Sequence, residues 1–132
     1  QKKLLKKVAP DLLKARNSLS IAEKKLERAQ ELLLDDFFAE AFITAYTAMF
    51  HTARSVLYKD GIQEKSHYAI SVYLKEKYSN KIPLPVINFL EIHRTERHEA
   101  MYGLEYQPVE KDAELALQDA EIFINEIKKI LS

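Results

Sequence analysis

The chain has 132 residues, 47% of them hydrophobic, with 20 lysines and arginines balanced by 20 aspartates and glutamates and no cysteine. This length fits one domain with an ordinary core, and the missing cysteines exclude disulfides, thiolate chemistry and cysteine–zinc centres. Charge balance excludes a global positive field, so any polyanion must be held locally. No apolar run approaches the roughly 18–20 residues of a membrane span, and no signal-peptide pattern precedes the first helix, so a cytoplasmic protein without membrane association is expected.

In chain order, Lys2, Lys3, Lys6 and Lys7 make a basic terminus, and residues 1–10 are expected to be solvated and partly frayed. Glycine and proline are so few that they act as punctuation. Leu19, Ala22, Leu26, Ala29 and Leu33 recur at spacings of 3, 4, 3 and 4, which predicts a first helix from about Asp11 to Leu34 with Pro10 at its start. Phe38, Phe42, Ala45, Met49, Thr52 and Val56 form a second stripe, and Tyr46, Phe50, Ala53 and Leu57 line the adjacent face. A helix apolar on two faces is expected at the centre of the fold.

Gly61 suits the C-terminal cap of that helix, and Ser66 the N-cap of a short third helix carrying Ile70, Tyr73 and Leu74. The fourth helix is expected from Pro83 or Pro85 to about Met101, with Gly103 and Pro108 bracketing a loop. Ala113, Ala116, Ala120, Phe123, Ile127 and Ile130 then predict a final helix. No segment alternates with period two, so no strand is expected. The product is an all-α, antiparallel four- to five-helix up-and-down bundle, one domain over residues 1–132, whose stripes also suit a homodimer.

Within the fourth helix, Val86, Leu90, His93, Arg97 and Ala100 follow one another at 4, 3, 4 and 3, so Arg97 falls on an apolar stripe. Burying an unpaired guanidinium costs several kcal/mol. Arg97 therefore either pairs with a group such as Glu40 or a helix C-terminus, or opens onto a cleft or interface; the second is the working expectation. Arg94, His98 and Tyr102 share one helix face at i, i+4 and i+8, and His51 with Arg54 are candidates to face that cluster from the central helix.

Tyr46 and Phe50 offer either stacking surfaces or core packing, His51 is either a base or a bundle histidine, His67 reads as a surface residue at a helix start, and His93 as a buried or interface histidine. His93 and His98 lie near Glu96 and Glu99, but histidines five apart on a helix diverge by about 140° and match no zinc motif. No metal and no cofactor are expected.

Three segments in order, Ala45-Tyr-Thr-Ala-Met-Phe-His-Thr-Ala-Arg54, Ser66-His67 and Arg97-His-Glu-Ala-Met-Tyr-Gly103, resemble the HEPN superfamily, in particular the small prokaryotic HEPN proteins of nucleotidyltransferase-associated, toxin–antitoxin type. The likeness runs from about Leu19 to Leu131. It implies a helical bundle that usually dimerises with its arginine motif near the groove between subunits. It also implies either a metal-independent endoribonuclease toxin, restrained by a partner that is often a minimal nucleotidyltransferase, or a member that has lost catalysis.

Active HEPN ribonucleases carry R-x4-6-H, the arginine holding the scissile phosphate and the histidine helping to activate the ribose 2′-hydroxyl. This sequence departs from that pattern. Five residues after Arg97 stands Tyr102, a poor base with an ordinary pKa of about 10, and His98 is too close to Arg94. The leading expectation is thus an accessory or binding protein, homodimeric and acting with a nucleotidyltransferase. In it Arg97 holds a phosphate of RNA or a nucleotide, or an acidic partner group, Tyr102 donates a hydrogen bond, and Arg94, Arg54 and Tyr46 contribute to binding. The alternatives are an active ribonuclease using Arg97 with His98 or His51, and a purely structural dimerisation module.

Overall fold

A computed structural model of the chain describes residues 4–102 and 107–131; Lys2, Lys3, Gly103 and the side chain of Ala100 lie outside the described set. The five expected helices are present: α1 (Leu12–Leu34), α2 (Phe38–Asp60), α3 (His67–Tyr78), α4 (Leu84–Tyr102) and α5 (Glu110–Leu131). The fold is an all-α bundle with α2 at its centre, packed by α1, α4 and α5. Tyr46, Phe42, Phe123 and Met49 are the largest of its fully buried side chains. Among the described residues no helix is long and apolar enough to cross a membrane.

The helix ends follow local chemistry. Asp11 caps α1 by accepting a 2.9 Å hydrogen bond from the Lys14 amide, and Ser66 caps α3 by accepting one from the Ala69 amide at 3.2 Å. Gly61 ends α2 in the left-handed conformation at φ 73°. Asp36 takes a positive φ of 65° in the tight α1–α2 turn, a conformation that aspartate tolerates better than most residues.

Small residues set the spacing of α1 on α2. Ala15, Ser18, Ala22 and Ala29 are the buried residues of α1, and α2 answers with Ala41, Ala45 and Ala48. With no bulky side chain between them the backbones approach closely, and Ser18 donates from Oγ directly to the carbonyl of His51 at 2.7 Å.

One feature corrects the expectation of no strand. Leu5–Lys7 (β1) pairs antiparallel with Ile62–Glu64 (β2), Lys6 opposite Gln63. The ribbon is fastened at Gly61, whose carbonyl accepts from the Val8 amide at 2.9 Å, and the Asp11 amide reaches the Tyr58 carbonyl at 2.8 Å. Three-residue strands are too short to display period two, which is why the pattern escapes a sequence reading. The ribbon also returns the chain from the end of α2 to the start of α3, and this return builds the site.

Candidate active site

Helix α2 presents Tyr46, Phe50 and Arg54 at i, i+4 and i+8, one above another on a single face. The Ser66 cap places His67 as the first residue of α3, and its ring stacks on Phe50 with centroids 4.1 Å apart and planes 28° apart. The Tyr46 hydroxyl lies 3.1 Å from His67 Nδ1. From the other side α4 lays the Arg97 guanidinium over the Tyr46 ring, 5.4 Å from its centroid. Residues from three helices thus converge: a tyrosine buried in the core, a half-buried histidine and a half-buried arginine.

Three arginines surround this group, and two are already neutralised. Arg94 donates to both carboxylate oxygens of Glu91, at 3.0 and 2.5 Å, and Ser71 steadies Glu91 with a contact of 3.4 Å from α3. Arg54 lies over Phe50 at 4.8 Å and binds Glu64 of β2, Nη2 to Oε2 at 2.7 Å. Arg97 makes no ion pair among the described residues. The internal pairing with Glu40 that the sequence left open does not occur. An aromatic face holds the cation without cancelling its charge.

The electrostatics follow from this arrangement. Burial, and next the Arg97 cation, lower the His67 imidazole from its ordinary 6.5; Arg54 and Arg94 add to that, and Glu64 opposes it. Burial pushes the Tyr46 hydroxyl up to about 12, against the pull of Arg97 and Arg94, so it stays a neutral phenol. The result is a neutral imidazole beside a free guanidinium, the pairing that proton abstraction next to a phosphate requires.

The residues singled out in the sequence are divided by the structure. Tyr46, Arg97 and Arg94 belong to this cluster, and Arg54 borders it through Phe50. His98 and Tyr102 are exposed near the end of α4, their rings 5.0 Å apart. His51 meets the edge of Phe50 at 5.7 Å but lines a cavity with Lys14, Asn17 and Ser18 on the α1 side. His93 is buried at 2% exposure and bridges Glu96 and Asp119, both at 2.8 Å, joining α4 to α5.

His67, read as a surface residue, is the functional candidate that sequence reasoning missed. Its partners are 21, 17 and 30 positions away along the chain, and no local pattern brings them together. The only signal was its place, directly after Ser66, in the middle segment of the three-part pattern.

The HEPN domain family model matches residues 15–130. The chain belongs to the HEPN domain family. Two proteins of Methanocaldococcus jannaschii, each named "Putative toxin", are similar to it: one is 28% identical over 121 residues, covering 86% of this chain and 85% of the relative, the other 25% identical over 112 residues, covering 83% and 76%. A UPF0332 protein of Archaeoglobus fulgidus is 31% identical over 114 residues, covering 84% of this chain and 90% of its own. The HEPN helical bundle expected from the three segments is therefore the fold of this chain.

Proposed function

We propose that this HEPN protein is a metal-independent endoribonuclease of toxin type, with Arg97 as the phosphate-holding cation and His67 as the base. The observation that carries this reading is the uncommitted Arg97 guanidinium beside an imidazole kept neutral by its surroundings. For His67 to accept a proton at Nε2, Nδ1 must carry its hydrogen and donate it to the Tyr46 oxygen, which the 3.1 Å contact permits. Nε2 then takes the ribose 2′-hydroxyl proton and the 2′-oxygen attacks the neighbouring phosphorus. The bond to the 5′-oxygen breaks, that oxygen takes a proton from solvent, and a 2′,3′-cyclic phosphate remains. Arg97 meets the charge that builds on the non-bridging oxygens.

This assignment supplies the imidazole that the segment after Arg97 lacks, and so favours the ribonuclease over the accessory role. The accessory reading keeps one specific support: Tyr102, which stands where active relatives carry histidine, is 65% exposed and available to a partner. Exposed Met101 and Tyr102 near the end of α4 offer surface for a homodimer, and the likeness to nucleotidyltransferase-associated HEPN proteins makes a nucleotidyltransferase the restraining partner of this reading.

The test is cleavage of end-labelled RNA in excess EDTA, with variants checked for native helicity. His67→Ala should reduce the rate by about 10²–10⁴, the usual worth of a positioned acid–base group, Arg97→Ala by about 10²–10³, that of a lost charge-stabilising contact, and His98→Ala should leave it near native. Absence of cleavage by the native protein would return the accessory role to first place. Cleavage that survives His67→Ala but not His98→Ala would assign the base to α4.

A further inference from the structure

The C-terminal half of α2 borders two adjoining cavities. One, of about 410 Å³, lies between the β1–β2 ribbon and the start of α1; the other, of about 240 Å³, runs on between α1 and α2. Both are lined by Lys14, Arg54 and Tyr58, so they form one trough, with Gln63 at the ribbon end and Asn17 and His51 at the other. Arg54 is shared with the candidate active site, since its guanidinium rests on Phe50, the ring on which His67 stacks.

We infer that this trough is a second subsite for single-stranded RNA, holding the nucleotide next to the scissile phosphate, with Lys14 on the backbone and Tyr58 as the stacking platform. The inference takes its substrate class from the ribonuclease reading. Its chemistry stands on the lining: the Lys14 ammonium, in no ion pair among the described residues and 5.9 Å from the centroid of the Tyr58 ring, that aromatic ring itself, and the amides of Asn17 and Gln63, which can both donate to and accept from base edges. Two carboxylates share the lining: Glu64 pairs with Arg54, and Asp11 accepts from the Lys14 amide, so Lys14 is the cation left to meet a phosphate.

Binding of a short 2′-O-methyl oligouridylate, which cannot be cleaved through a 2′-hydroxyl, tests this without depending on catalysis. Fluorescence anisotropy should show Tyr58→Leu weakening affinity by about five-fold or more, the loss of one stacked base. Lys14→Ala should weaken it and lower the slope of log K against log salt by about 0.7, as one phosphate contact does on a single strand. Lys111→Ala, on the exposed start of α5, is the control and should match the native protein. Native-like binding by both trough variants, or no binding by the native protein, would overturn the subsite. Cleavage of a dinucleotide, which contains the scissile phosphate but cannot fill the trough, separates the two readings. Equal dinucleotide cleavage by native protein and Lys14→Ala, with a raised KM for Lys14→Ala on longer RNA, supports both. Dinucleotide cleavage with an unchanged KM on longer RNA rejects the subsite alone.

Discussion

Arg97 and His67 influence each other through charge, and this makes their relation measurable without any substrate. A base must be neutral to act, so the acid limb of activity should lie below the ordinary 6.5 of histidine, because burial and then the Arg97 cation hold the His67 imidazole down. Removing that cation takes away one of the lowering influences. The His67 midpoint in Arg97→Gln, followed by NMR of labelled histidine, should therefore rise from its native value while remaining subject to burial. An unchanged midpoint would mean that the two side chains are not neighbours in solution. Tyr46 has a different part: its raised hydroxyl pKa of about 12 keeps it from competing as a base, and it serves to orient the imidazole.

At the scale of the element, the turn after α2 decides whether the site exists. Gly61 holds φ at +73°, and a β-carbon there would come within 2.6 Å of the Val8 carbonyl oxygen and 2.9 Å of the Pro10 ring. Gly61→Ala should therefore cost at least about 1–2 kcal/mol from the left-handed backbone alone, with the steric clash added to it. Urea unfolding would read the loss, and a native-like midpoint would show that the N-terminal segment does not pack over this turn. The same segment carries β1, so loosening it also loosens β2, Glu64 and its hold on Arg54. Beyond the turn, Asp60 fastens α2 to α3 by accepting from the Tyr73 and Tyr78 hydroxyls at 2.7 and 2.6 Å.

For the molecule as a whole, two half-buried histidines tie stability to pH. His51 and His67 both have folded-state pKa values lowered from 6.5, so the unfolded chain binds protons at pH values where the folded chain still refuses them. The sign follows: the stability these groups contribute is complete above the unfolded pKa of about 6.5 and declines as pH falls from there through the lowered folded values. Thermal unfolding should thus show a falling midpoint between neutral and mildly acidic pH, and the fall should be smaller in a His51→Gln, His67→Gln double variant. An equal fall in that variant would place the acid sensitivity in other groups.

The helices were legible in the sequence because each is written in local terms. Stripes at 3.6-residue period, the Ser66 cap and the Gly61 stop all act within a few residues of the boundaries they set, and α2 ends and α3 begins where those signals fall. The anomaly of Arg97 was legible too, since a cation on an apolar stripe conflicts with its own helix. What the sequence could not decide was where that cation goes. Tyr46, His67 and Arg97 are far apart along the chain, and their meeting depends on the antiparallel packing of α2 with its neighbours and on the ribbon that turns α3 back toward α2. Periodicity records which face of a helix is buried, because burial of apolar surface acts on each residue separately. It does not record which faces meet, and so which histidine lies beside Tyr46 and Arg97 was decided by the tertiary structure.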